Sequence, residues 1–481
     1  MRKYICFTIL SGIIIIFNNC ATNPVTGKKN LMLLSEKQEI AMGKEADPDI
    51  VAFFGLYEDQ ELQNFISHKG KEMARISHRP DLPYEFKIVD SPVVNAFAVP
   101  GGFVYFTRGI MAHFSNEAEF AGVLGHEIGH ITARHSARQY SKAMVAQAGM
   151  VAGSVFSETF AQYANVAGQG IGLLFLKFGR DYERQSDKLG VEYSSKIGYN
   201  SYEMASFFQT LDRMRQQSGS QIPTFLSSHP DPADREEAVR KYTEKWQSKL
   251  NLTSPEINRV SYLKLIDGMV YGEDPRQGFV ENNHFYHPEL KFKFLIPEGW
   301  RTQNSPQQFQ MAEPNGKALM MLTLSSASTL QEAAQNHANK YQLEVVDTSP
   351  ETVNGLPAIA QIADQNDEND EPQVRTITYF IAYNNNIYVL LGASSYDDFN
   401  LYADTFVRTM EDFSVLSDPD KINRQPTRID IREISYRTTL AKALENAGMP
   451  TDKFEELAVL NGMQLDEQLP EGTLIKVLEN P

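Results

Sequence analysis

In His126-Glu127-Ile128-Gly129-His130 two imidazoles stand four residues apart, with a carboxylate next to the first. On a helix, positions four apart lie about 40° from each other around the axis and one turn apart along it, so both rings reach one ion. A catalytic zinc takes three protein ligands and keeps a fourth position for water. Zinc lowers the pKa of that water to about 7, and a neighbouring carboxylate takes its proton as the water attacks a peptide carbonyl. The spacing predicts His126 and His130 as ligands of one Zn2+ ion and Glu127 as the general base of a metallopeptidase. Among 10 histidines the pattern arises by chance in roughly one such sequence in a hundred. Gly125 and Gly129, also four apart, each cost about 1 kcal/mol relative to alanine in a helix. They predict that another backbone or a substrate lies close against this helix, which two surface histidines would not require.

A third ligand must come from elsewhere. His135 lies about 140° around an unbroken helix from His130, and no glycine follows His130 to break that helix. It is expected to be structural or exposed. Glu183 is the better candidate, in Arg180-Asp181-Tyr182-Glu183-Arg184-Gln185-Ser186-Asp187. Glu183 and Asp187 share one helical face, so the glutamate would coordinate zinc while Asp187 holds a ligand histidine by its other ring nitrogen. Glu183 would serve equally as a surface charge paired with Arg180.

The elements that must position these groups are mainly helical from residue 35 to about 251, with one β interruption. Residues 95–99 and 103–107 are β-branched and aromatic around Pro100-Gly101-Gly102, the signature of a hairpin. Asn116 with Glu119 three residues on predicts a capped helix start, and that helix is expected to run through the two histidines to about Tyr140. Residues 141–179 are rich in Ala, Gly, Met and Phe, but Gln147, Ser154, Glu158, Gln162 and Gln169 interrupt every membrane span; a buried helix pair or a lid over the site is expected.

Beyond about residue 280 strand-like runs appear at 290–296, 318–324, 375–382 and 387–391, with helical patterns near 330–341 and 400–410. The acidic run 364–371 has no glycine or ligand register for calcium and reads as a hairpin loop. A chain of 481 residues is too long for one core. The expected class is α+β and multidomain: a mainly helical metallopeptidase domain with a small β-hairpin over 36–250, a linker over 251–280, an accessory domain with an antiparallel sheet over 281–418, and a βααβ module over 426–480.

Arg2 and Lys3 precede an apolar run over 4–17, followed by Asn18, Asn19 and Cys20. That run is short of the about 20 residues a spanning helix needs, and it reads as an export signal over 1–20. The two cysteines are Cys6 and Cys20, so cleavage before Cys20 leaves one thiol to carry a lipid anchor, with a polar tether over 21–35. The expected place is the bacterial cell envelope, on the periplasmic side of a membrane, with no disulfide in the mature chain. The balance of 45 basic against 61 acidic residues gives −16, and without a basic cluster nucleic acid is excluded as a partner.

HEIGH, then the helix with Glu183 and Asp187, then Ser228-His229-Pro230 and Arg235, together resemble family 48 of the metallopeptidases, the gluzincins that include HtpX and BepA-like enzymes. The resemblance covers roughly residues 36–245 and includes Asn95-Ala96-Phe97-Ala98-Val99-Pro100-Gly101-Gly102. It implies that Glu183 is the third ligand. It also implies that His229 stands near the zinc, as an oxyanion stabiliser or a removable fourth ligand, and that Arg235 orients Glu183 or the substrate. The family usually has alanine where Ser186 stands. Residues 285–415 resemble the PsbP type of α+β fold. Residues 429–478 resemble a LysM module through Leu440, Leu457, Leu460, Asn461-Gly462, Pro470 and Gly472, which implies contact with peptidoglycan; Tyr436-Arg437-Thr438-Thr439 departs from that module's usual opening.

An extended peptide adds to an exposed sheet edge through main-chain hydrogen bonds, independent of its sequence. Part of residues 99–107 is expected to offer that edge, with Asn95, Val99, Gly101 and Gly102 as substrate-binding residues. The function expected is hydrolysis of unfolded or misassembled envelope proteins. Two rivals share the sequence: a chaperone or assembly factor with a latched zinc site, and a cell-wall-binding protein.

Overall fold

The computed structural model describes residues 20–150, 178–217, 224–229, 235–367 and 369–479. All but Cys20 of the signal expected over 1–20, and most of the helix pair or lid expected over 141–179, lie outside these residues. The described chain forms two compact units, one reaching to Gly272 and resuming at Thr427, the other Glu273–Pro426. No helix among the described residues is long and apolar enough to cross a membrane.

The first unit opens with strands β1 (Cys20–Thr22) and β2 (Lys29–Leu31), paired antiparallel. The turn between them is built on Asn23, whose Oδ1 accepts from the Val25 and Thr26 amides. Asn23 is buried, and its Nδ2 donates to Ala133 O at 3.1 Å. The stretch expected to be a polar tether is therefore packed against the domain for part of its length. Helix α1 (Glu36–Phe54) starts at a capping box of Ser35 with Gln38, and α2 (Gln60–Arg75) at an Asp59 cap.

Strands β3 (Glu85–Val89), β4 (Ala96–Val99) and β5 (Phe103–Thr107) form a sheet in the order β3-β5-β4. The expected hairpin is β4–β5, but β5 also pairs in parallel with β3, so both of its edges are taken. The exposed edge expected within residues 99–107 cannot lie on β5; the outer strand on that side is β4. Gly101 (φ 89°) and Gly102 (φ 110°) are buried in the turn, in a left-handed conformation that favours glycine. A Cβ at Gly101 would fall 2.6 Å from Glu39 O on α1, so helix–turn packing by itself requires a glycine here.

Helix α3 (Arg108–His113) leads to α4 (Glu117–Thr132), capped by Asn116 Oδ1 on the Glu119 amide and buried along its whole length. The helix expected to continue to Tyr140 stops earlier. Arg134 turns left-handed (φ 59°), and α5 (His135–Met150) begins afresh. The break is held from a distance: Arg134 pairs with buried Glu39 and donates to Leu34 O, Asn23 takes Ala133 O, and Arg79 donates to Ile131 O at 3.1 Å.

Next come α6 (Arg180–Lys196), α7 (Tyr202–Gln217), α8 (Thr224–Ser228), α9 (Arg235–Leu250) and α10 (Arg259–Leu265). Helix α6 lies directly against α4. A Cβ on Gly125 would meet Gly190 Cα and O at 2.9 Å, and one on Gly129 would meet Ser186 Cα at 3.2 Å. The glycines flanking the histidine pair thus admit a second backbone, as their helical cost suggested.

The C-terminal segment runs strand Arg428–Glu433, helix Leu440–Asn446, helix Phe454–Leu460 and strand Leu474–Glu479, the two strands antiparallel. It does not stand as a unit of its own. Leu440, Leu457, Leu460 and Val477 share one apolar core with Phe114, Phe120 and Phe207.

In the second unit a seven-stranded antiparallel sheet carries helix Leu330–Tyr341 on one face and Phe399–Glu411 on the other, with alternate residues of strands Leu356–Asn366, Pro372–Tyr383 and Asn386–Ser395 facing each helix. A four-stranded sheet completes it. The acidic run forms the hairpin turn between strands Leu356–Asn366 and Pro372–Tyr383, where Asp367 Oδ1 accepts from the Asn369 and Glu371 amides.

Candidate metal centre

Helix α4 presents His126 and His130 one turn apart, with their Nε2 atoms 3.0 Å from each other. Helix α6, brought close by the glycines, places Glu183 across from them. Its oxygens lie 3.5 Å from His126 Nε2 and 3.4 Å from His130 Nε2. Helix α8 delivers His229 at its end, with Nδ1 3.2 Å from Glu183 Oε1 and 3.3 Å from His126 Nε2. One donor atom from each of His126, His130, Glu183 and His229 falls within 4.8 Å of the others, and all four residues are buried. This is the one such group among the described residues. Phe225, stacked on His229 at 4.7 Å, ties α8 to the sheet by donating its amide to Val94 O beside β4.

A ring of charge surrounds the group. Asp187 Oδ1, one turn along α6 from Glu183, lies 2.9 Å from His126 Nδ1. That contact turns the Nε2 lone pair of His126 toward the centre. Arg235 at the start of α9 donates Nε and Nη2 to the two oxygens of Asp187 at 2.8 and 2.7 Å, and its Nη1 lies 3.7 Å from Glu183. Glu127 is buried, and its Oε1 has no hydrogen-bond partner among the described residues; the nearest cation-forming group is His229 Nε2 at 3.6 Å.

The electrostatics follow from burial set against these neighbours. Burial pushes the His126 ring down, but hydrogen bonds to Asp187 and Glu183 outweigh it and lift the ring to about 9. Burial drives His130 well below its ordinary value, against the pull of Glu183. Burial would raise Glu183, yet His229 and the hydrogen bonds from the histidines hold it well below the usual carboxylate range. Burial likewise opposes ionisation of Asp187, and Arg235 leads the groups that hold it down. Glu127 goes the other way, raised by burial with His229 and His126 opposing. Carboxylates and imidazole lone pairs thus converge on one point that calls for positive charge. Two imidazoles and a carboxylate, buried and backed by further hydrogen bonds, are the donor chemistry of catalytic zinc, and the group fits that ion.

His135, expected to be structural or exposed, is fully buried. Because the chain breaks at Arg134, its ring swings back to lie 3.1 Å, Nδ1 to Nδ1, from His130. Its position five residues after His130 was visible in the sequence; the break that brings it round was not. Asn95 sits beside β4 with a buried Oδ1 that has no partner among the described residues, and Val99 ends that strand, buried. Cys20 opens β1. Pro230 lies outside the described residues.

Residues 60–243 match the model of Peptidase family M48. The chain is similar to the beta-barrel assembly-enhancing protease of Yersinia pestis, 32% identical over 216 residues that cover 42% of this chain and 43% of that protein. It is similar too to a mitochondrial metalloendopeptidase of Arabidopsis thaliana, 29% identical over 181 residues covering 37% of this chain and 35% of the relative. The chain thus spans less than half the length of these curated relatives. Among solved structures, cyanobacterial PsbP from Synechocystis aligns at a TM-score of 0.24 with 13% identity, over 27% of this chain and 91% of its own; a likeness at that score carries no argument.

Proposed function

We propose that this chain, which carries a peptidase family M48 domain over residues 60–243, is a zinc metalloendopeptidase of the bacterial cell envelope acting on unfolded or misassembled envelope proteins. The observation that carries the reading is the buried donor set of His126, His130 and Glu183 beside a Glu127 oxygen that has no partner among the described residues. A buried carboxylate oxygen without a hydrogen bond is costly, and a general base waiting for a water proton accounts for it.

In this reading His126, His130 and Glu183 hold the ion, which supplies Lewis acidity toward water and the scissile carbonyl. Asp187 fixes the His126 ring and Arg235 fixes Asp187. Glu127 accepts the proton of the attacking water as the C–O bond forms, and returns it to the amine as the C–N bond breaks. His229 donates toward the oxygen on which charge develops. The substrate lies along the outer edge of β4, between Asn95 and Val99, where no strand among the described residues pairs. The similarity to a beta-barrel assembly-enhancing protease supports an envelope substrate. The signal-like start with Cys20 supports a lipid anchor in a membrane, and the LysM-like segment supports contact with peptidoglycan.

The deciding experiment compares Glu127→Gln with the wild type on casein and on a misfolded outer-membrane protein. Loss of cleavage with zinc retained supports the reading; cleavage at the normal rate sinks it. A second reading, a latched assembly factor that seldom cleaves, is favoured by the placement of His229 inside the donor group. Rescue of a deletion strain by Glu127→Gln would select it.

A further inference from the structure

Two histidines of the centre need different support. His126 Nδ1 is held by a carboxylate, Asp187, that arginine in turn secures. Among the described residues, His130 has no acid at its Nδ1. With its Nε2 facing the centre, its Nδ1 must carry the ring proton and needs an acceptor. The partner there is His135 Nδ1 at 3.1 Å. On the far side of that ring, His135 Nε2 lies 3.1 Å from Gln185 Oε1. The ring itself is stacked on Tyr182, 4.4 Å between centroids and 9° from parallel.

We propose that His135 is a positioning residue of the zinc site: its Nδ1 accepts from His130 Nδ1–H while its Nε2–H donates to Gln185 Oε1, fixing the tautomer and orientation of His130. The inference rests on the reading above, in which His130 holds the metal through Nε2. The directions are forced. A carboxamide oxygen only accepts, so Nε2 of His135 carries the proton, and its Nδ1 is left as the lone pair that His130 requires. Ser186 Oγ, 3.3 Å from the same Nδ1, is a weaker second partner. Geometry along the chain agrees. On an unbroken helix His135 would face about 140° away from His130; the left-handed Arg134, pinned by Glu39 and Leu34, is what brings it back. The outcome is an asymmetric pair, one ligand backed by a charged group and the other by a neutral imidazole.

The test uses the full chain and zinc affinity by chelator competition. His135→Phe keeps the stack on Tyr182 and removes the acceptor. Its zinc Kd is expected to weaken about 10- to 100-fold, with an altered visible spectrum after cobalt substitution. His135→Gln, whose carboxamide oxygen offers an acceptor, is expected to restore most of the affinity, which a merely space-filling role would not. A zinc Kd and cobalt spectrum unchanged in His135→Phe would overturn the proposal. Should that variant not fold, nitrogen-15 spectra of the imidazoles in the zinc-loaded wild type decide instead: His135 protonated at Nε2 is expected, and protonation at Nδ1 overturns it. Failure of the underlying reading looks different, since zinc binding would then survive His130→Ala.

Discussion

The two ends of helix α4 carry two buried polar clusters built on opposite principles. At its start, Lys476 of the C-terminal strand is buried, and its Nζ donates to Ala112 O, Phe114 O and Leu460 O at 2.8, 2.7 and 2.8 Å. Its backbone amide donates to Asn461 Oδ1, and Ser115 Oγ donates to Asn461 O. Glu119 takes the Ser115 amide at 2.6 Å. Three carbonyl oxygens take the donors of the Lys476 amine, and burial holds it well below the usual lysine range. About two to four turns further along the same helix, the histidine cluster leaves Glu127 Oε1 without a partner among the described residues and sets the Nε2 atoms of His126 and His130 3.0 Å apart. A closed polar network rigidifies; an open one is costly unless something completes it. The difference separates the end that fixes the helix from the end proposed to do chemistry.

The sharpest way to break that contrast is Glu127→Gln. If the open cluster exists for catalysis, peptide cleavage falls about 10²- to 10⁴-fold while zinc content and unfolding midpoint hold or improve. A variant that unfolds earlier and still cleaves would make Glu127 structural. The complementary change is Lys476→Met, which leaves three carbonyls without their donor. Each buried unsatisfied group costs about 1–3 kcal/mol, so denaturant unfolding should show a loss of about 3 kcal/mol or more, with activity per folded molecule kept. A loss below about 0.5 kcal/mol, the range of ordinary surface changes, would mean that the cluster does not hold the helix.

Acid should reach the closed end through His113, which stands at the end of α3 with Nδ1 2.7 Å from Gly109 O. Burial lowers its ring to about 4, with the Gly109 hydrogen bond opposing and Lys476 adding to the fall. The unfolded ring titrates near 6.5, so the folded state binds fewer protons between these values. Stability from this group is full above pH 6.5 and is lost as pH falls through 4, by about 3 kcal/mol in all at 1.36 kcal/mol per pKa unit. His113→Gln should flatten unfolding free energy against pH between 6.5 and 4; an unchanged slope would exclude His113 as the cause.

What the sequence disclosed follows the same division. The histidine pair and Glu127 were legible because they depend on spacing within one helix, and helical spacing is local; spacing also put Glu183 and Asp187 on one face, but only the family resemblance favoured Glu183 over a surface charge. The cap at Asn116 and the close approach at Gly125 and Gly129 were legible for the same reason. The break at Arg134 was not, because no glycine or proline marks it and its supports, Asn23, Leu34 and Glu39, lie about a hundred residues away in sequence. The central place of β5 depended on a parallel partner, β3, that no hairpin pattern reveals. Nothing in the sequence marks Lys476, and only the packing of the C-terminal segment against α3 and α4 makes it a buried donor.

The smallest expected effect concerns the hydrogen bonds that steady the open end. Asp187→Asn keeps the size of the side chain and one acceptor for His126 Nδ1, but it removes the charge that Arg235 pairs with through two hydrogen bonds. Arg235 then loses its main anchor beside Glu183, and His126 becomes a poorer donor to zinc. Partners of this kind are worth about 10- to 100-fold in metal affinity. Zinc Kd by chelator competition should weaken within that range, while the loss of the carboxylate opposite buried Arg235, eased by the remaining Asn oxygen and by Glu183 3.7 Å away, should lower metal-free stability less than Lys476→Met does. If metal-free stability falls as far as in Lys476→Met, Asp187 belongs to the helix's frame rather than to its chemistry, and the division between the two ends fails.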